Sequence, residues 1–198
     1  MSRSPLRAFP LIPFALAYFA LLPQARAACQ DACLANFNTV QGDNALVNLT
    51  TGFSNTAFGA NALLSVTSAS GNTAVGVDAL YHDTTGYVDT AIGEFSLFGN
   101  TTGIANTAVG AGALEVNTTG SNNTAIGQSA LQDSNGNNNT AAGYNALFFS
   151  TTGSNNTAVG SSAMGGNPDI QMTGSNNTAT GATTLLNNTT GFNNTATG

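Results

Sequence analysis

A large apolar residue returns about every 17 positions along this chain, with small and polar residues between. Leu46, Leu63, Leu80, Leu97, Leu114, Leu131, Leu147, Met164 and Leu185 mark the beat, each preceded by Ala, Ser or Thr. Between beats runs the pattern Asn-Thr-Ala-x-Gly. Its threonines are Thr39, Thr56, Thr73, Thr90, Thr107, Thr124, Thr140, Thr157, Thr178 and Thr195, so successive spacings are 17, 17, 17, 17, 17, 16, 17, 21 and 17. Aligned in that register, the units give the consensus N-T-A-x-G-x-x-A-L-x-x-x-T-T-G-x-x, which Asn106 to Asn122 follow closely. Position 5 is glycine in every copy, and position 15 is glycine in every complete copy except one, where Ala69 stands.

A unit of 17 residues is too short for the helix pairs of helical solenoids and suits one coil of a β-solenoid. The two glycine positions read as tight corners. They separate two strand-bearing sides, one carrying N-T-A-x and the other x-x-A-L-x-x-x-T-T. A disordered low-complexity tract would not keep one large apolar residue in phase. The predicted fold is therefore all-β, a parallel β-solenoid of about ten coils over residues 38–198. Stacked at the ~4.8 Å strand spacing, the coils make a rod of roughly 45 Å. Leucine and alanine columns would fill its core, asparagine columns would bond side chain to side chain, and stability would be a nearest-neighbour sum. The 16-residue unit shortens near Ser134-Asn135-Gly136 and the 21-residue unit lengthens between Gly165 and Gln171. Both changes spare N-T-A-x-G, as a solenoid tolerates insertions on one side.

The N-terminus is of a different kind. Arg3 and Arg7 precede an apolar run from Ala8 to Leu22, and Ala25-Arg26-Ala27 follows as a small-x-small cleavage signature. Residues 1–27 read as a secretory signal peptide; the run is short for a bilayer span, and no membrane insertion of the mature chain is expected. A lipoprotein signal ending at Cys29 is disfavoured by Arg26 three positions before it. Residues 28–37 read as an N-terminal cap holding the only cysteines, Cys29 and Cys33. Export permits a disulfide between them; a bridge between chains is the alternative.

Arg3, Arg7 and Arg26 are the only basic residues apart from His82, against nine Asp and Glu. The mature chain is thus acidic, which excludes nucleic acid as a partner and removes attraction to anionic lipid. Catalysis is not expected either. His82 sits at a variable repeat position, and the carboxylates form no recurring pair. The Asp-bearing nonapeptide of calcium-binding β-rolls does not occur. No cofactor or metal is expected.

The units NTAFG (Asn55 to Gly59), NTAVG (Asn72 to Gly76) and NTAIG (Asn123 to Gly127), with intervening A-L and T-T-G, resemble the head repeats of trimeric autotransporter adhesins. They are also similar to repeat arrays of bacterial tail-fibre-type proteins that end in an intramolecular chaperone domain. The resemblance covers Asn38 to Gly198 and implies a left-handed parallel β-roll, assembled as a homotrimer and displayed outside the cell to bind surfaces. The adhesin head repeat is shorter, and neither stalk, membrane barrel nor chaperone domain follows these repeats. The array stops within its tenth coil, so a truncated array is expected.

Two functions remain in view. The first is an exported, adhesin-like or fibre-like interaction module, secreted or on the cell surface, with an unidentified surface ligand. The second is an ice- or crystal-surface binder. In both, the candidate contact column is Thr56, Thr73, Thr90, Thr107, Thr124, Thr140, Thr157 and Thr178. If Ala at position 3 points inward, alternation turns these threonines and the residues at position 4 outward. An enzyme such as a polysaccharide lyase is a distant third, lacking any base to neutralise a sugar acid.

Overall fold

The computed structural model describes residues 32–166 and 171–198. Its strands are β1 (Ala32–Leu34), β2 (Asn38–Gln41), β3 (Thr56–Phe58), β4 (Thr73–Val75), β5 (Thr90–Ile92), β6 (Thr107–Val109), β7 (Thr124–Ile126), β8 (Thr140–Ala142), β9 (Thr157–Val159), β10 (Thr178–Thr180) and β11 (Thr195–Thr197). They form one sheet in sequence order. From β2 to β11 every pairing is parallel and threonine lies on threonine, as in Thr107↔Thr124 and Ala108↔Ala125. The chain is a parallel β-solenoid of coils about 17 residues long. At its N-terminal end β1 turns back through Ala35–Phe37 and pairs antiparallel with β2, which covers one edge of the sheet. Cys33 lies opposite Thr39 there. Cys29, the leader segment and the insertion at residues 167–170 lie outside the described residues, and so does the cysteine pairing.

One side of the coil departs from expectation. Only N-T-A-x is extended; the A-L side is a run of turns. Leucine at position 9 is left-handed in every coil, from Leu46 (φ 50) to Leu185 (φ 52), with Met164 at φ 45, and position 7 is left-handed too. Turns within the coil are closed by bonds such as Ala113 N–H to the Gly110 carbonyl (3.2 Å) and Asn117 N–H to the Leu114 carbonyl (3.2 Å). A left-handed leucine costs about 1–2 kcal/mol. It is retained because the same turn sends the side chain into the core, where burial is worth ~1.5–3 kcal/mol, and aims the Leu114 N–H at the Ala130 carbonyl of the next coil, 3.0 Å away. Seventeen residues thus make a narrow coil without a second sheet.

The two glycine positions differ in kind. Gly110 at position 5 has φ +134, and a Cβ there would lie 2.5 Å from the Gly127 carbonyl oxygen. At position 15 the backbone is not left-handed, and close approach alone favours glycine, Ala69 being the one side chain found there. A Cβ on Gly120 would lie 2.5 Å from the Gly136 carbonyl oxygen.

The core follows the expected columns. Alanines at positions 3 and 8 and the leucines of position 9 are buried along most of the rod. Asparagine at position 1 forms a ladder of another design from the one expected, mainly side chain to backbone. Asn106 Nδ2 donates to the Gly120 carbonyl of its own coil (2.9 Å), while its Oδ1 accepts the Asn123 N–H of the next coil (3.0 Å). The same pair of bonds recurs at Asn55, Asn123, Asn139 and Asn156. Direct amide-to-amide bonds are a supplement, as from Asn177 to Asn156 (3.1 Å). Each asparagine therefore closes its own coil and locks the next in register.

The 16-residue unit is repaired by one side chain. In regular coils the two threonine N–H groups of positions 13 and 14 share the next coil's carbonyl, as Thr101 and Thr102 share that of Thr118. Where that residue is missing, Asn135 Oδ1 substitutes, accepting the Thr118 N–H and Oγ1–H at 2.7 Å each. Within the longer unit, Met172 stacks on the preceding coil, bridged to Ser150.

Candidate functional site

The sheet presents positions 2 and 4 outward, because Ala at position 3 is buried in every strand from β3 to β10. This brings the predicted threonines onto one face in a single column. They are not equally exposed. Thr56, Thr73, Thr90, Thr107, Thr124 and Thr157 are half-buried, whereas Thr140 and Thr178 are exposed. The difference tracks position 4. The half-buried threonines stand beside Phe58, Val75, Ile92, Val109, Ile126 and Val159, whose bulk shields them; Thr140 and Thr178 stand beside Ala142 and Thr180. The face is a strip of hydroxyls and apolar groups with no charged residue at either position, and Ile92, Ile126 and Val159 are each more than 40 % exposed.

His82, on the turn side, is exposed and packs edge-on against Tyr81 (4.7 Å between ring centres) and Phe98 (4.8 Å). Among the described residues no three His, Cys, Asp or Glu side chains gather as a metal site. No helix among them is long and apolar enough to cross a membrane.

The structure does bring together two carboxylates that looked scattered along the chain. Asp89 replaces asparagine at position 1, and Asp83 occupies position 12 of the preceding coil; both are 0 % exposed. Asp83 accepts the Gly86 N–H (2.9 Å) and Asn72 Nδ2 (3.1 Å), and Asp89 accepts the Asn106 N–H (2.7 Å). Asn100 Nδ2 reaches towards both, 3.5 Å from Asp83 and 3.3 Å from Asp89. Ionised, Asp89 has no donor for the Gly103 carbonyl, which is left to Asn100 Nδ2 (3.1 Å), the counterpart of the Asn117 bond to Gly120 in the next coil. Burial pushes both carboxyls up to about 7 against the pull of these hydrogen bonds, and the Asp83 charge adds to the rise at Asp89. With no Lys or Arg after Arg26, only protons neutralise the pair within this chain. The sequence signal was the single break in the asparagine column. The pair is sealed from solvent, so it acts on stability and does not present a group to a substrate.

Fold and face together define a β-solenoid repeat protein with one uncharged sheet face. Comparison with protein-family models, with curated proteins and with solved structures finds no match for the chain.

Proposed function

We propose that this chain is an exported structural and interaction protein, adhesin-like or fibre-like, and not an enzyme. It engages other surfaces through the threonine column of its sheet. The observation that carries this reading is the in-register run of outward Thr and apolar residues from Thr56 to Val159. A repeated weak contact gains avidity without any strong single site. The half-buried hydroxyls and exposed branched groups also suit packing against other copies, and the chain is proposed to assemble as a homotrimer through this face at the cell surface or in the medium. The resemblance to trimeric adhesin heads and tail-fibre arrays points the same way.

The ice-binding reading draws on the same column, since threonines held at the ~4.8 Å coil spacing make a regular array. Its weakness is position 4, where Gln41, Phe58, Ala142 and Thr180 interrupt a lattice match. Replacing Thr107, Thr124 and Thr140 together with tyrosine separates the two. Sedimentation should show three chains in the parent and a shift towards one in the variant, with no thermal hysteresis in either. A folded parent monomer with hysteresis would overturn the interaction reading in favour of ice; a monomer without it would remove the trimer.

A further inference from the structure

The second coil breaks the repeat at positions 14 and 15, where Ser68-Ala69 replaces the usual Thr-Gly, and carries the small pair Ser70-Gly71 at the variable positions 16 and 17. At position 16 the coils on either side carry Phe53 and Tyr87, exposed by 57 % and 50 %. Ser70 between them is small, and its Oγ is turned to accept the Phe53 N–H (3.1 Å). Gly71, at φ +72, has no side chain to raise the floor, and Val88 stands over its edge. The result is an open groove of about 370 Å³ lined by the two aromatic residues, by the small residues Ala69, Ser70 and Gly71 between them, and by Ser68 and Thr85.

We infer that this groove is a binding slot for a neutral pyranose sugar. Size selects a single ring. Phe53 and Tyr87 stand two coil spacings apart along the rod, roughly 9.6 Å between their backbones, whereas a flat ring stacked between two others fills only ~7–8 Å. The excess suits a puckered saturated ring, and a helix, ~10–12 Å across with its side chains, does not enter. Chemistry selects a sugar among such rings. The negative faces of Phe53 and Tyr87 attract the C–H-bearing faces of a pyranose, while its hydroxyls meet Ser68, Thr85 and the Tyr87 phenol at the rim. Charge selects a neutral one. No charged side chain lines the groove, and an acidic chain without Lys or Arg after Arg26 offers an anionic sugar no counter-charge. The slot lies at positions 14 to 17, away from the sheet face, and stands or falls independently of that face's role.

The test is saturation-transfer NMR of the full exported chain with the methyl pyranosides of glucose, galactose and mannose and with methyl sialoside, up to about 10 mM, where weak single sites fill. At least one neutral pyranoside should show saturation of its ring C–H protons. Phe53→Ser with Tyr87→Ser should reduce that signal at least tenfold with the thermal midpoint kept, because both side chains are half-exposed. Ser70→Tyr, which fills the slot from its floor, should do the same, and Phe192→Ser, an aromatic at position 16 further along the rod, should not. Saturation that survives both slot variants, absence of saturation by all three neutral pyranosides, or preferential saturation of the sialoside would overturn the inference.

Discussion

Leu114→Asp is expected to disrupt the middle of the rod, while Glu115→Ala, one residue later, leaves the thermal midpoint nearly where it was. Leu114 is 0 % exposed and lies in the column between Leu97 and Leu131. Aspartate there loses the leucine's burial and puts a carboxylate where no basic residue stands to pair with it, a cost of at least ~4 kcal/mol. Because each coil is held by its neighbours, one failed level weakens two interfaces and uncouples the flanking segments. Glu115 is half-buried at the surface and bonds Gln132 Nε2 at 2.8 Å. Burial and the Asp133 charge push its carboxyl upward, so alanine removes one part-buried surface bond together with a repulsion, a change within ~1 kcal/mol. Thermal melts of the two variants check this, and equal midpoints would contradict the proposed core column.

The parent protein should lose stability as pH rises from about 4 to about 7, the reverse of ordinary acid denaturation. Asp83 and Asp89 ionise near 3.8 when unfolded and at about 7 in the fold. Between those values the folded chain holds protons that the unfolded chain has released. Stability is therefore fully present below 3.8, falls through the window and levels off above about 7. At ~1.4 kcal/mol per unit, the pair accounts for several kcal/mol, drawn jointly because the two carboxyls share Asn100. Asp89→Asn restores the asparagine of the neighbouring coils, gives the Gly103 carbonyl a second donor as Asn106 and Asn117 both give Gly120, and removes one of the buried acids. It should raise stability at pH 8 by roughly 2 kcal/mol or more and flatten the pH profile. Melting both proteins from pH 3.5 to 8.5 tests this; a parent midpoint that climbs across that range, or a variant profile that parallels the parent's, would contradict it.

Much of the fold was legible because the coil is short and its constraints repeat. Leu114 and its counterparts mark the core, Ala108 and its counterparts mark the inward side of the strand, and alternation then turns Thr107 outward. The turn side was not legible. An x-A-L-x pattern reads as a strand, and nothing in composition announces that leucine takes the left-handed conformation; the inter-coil bond and the buried side chain that offset its cost exist only once the coils stack. The asparagine ladder was foreseen as a column but not in its bonding, since amide and backbone partners look alike in sequence. Asp83 and Asp89 were missed as a pair because their contact joins position 12 of one coil to position 1 of the next. The Phe53–Tyr87 groove was legible only as variation at a variable position. Its shape depends on Ser70 and Gly71 lying level between two aromatic residues 34 apart in the sequence.

The most direct test is to remove one whole coil. Deleting Asn106 to Asn122, the 17 residues from one asparagine to the residue before the next, brings β5 into register with β7, threonine on threonine and leucine on leucine. The shortened protein should melt cooperatively within a few degrees of the parent, and small-angle scattering should find the rod shorter by ~4.8 Å. Deleting only residues 106–113 puts every later column out of phase and should abolish the cooperative transition. A 17-residue deletion that unfolds as readily as the eight-residue one would contradict the coil as the unit of this structure.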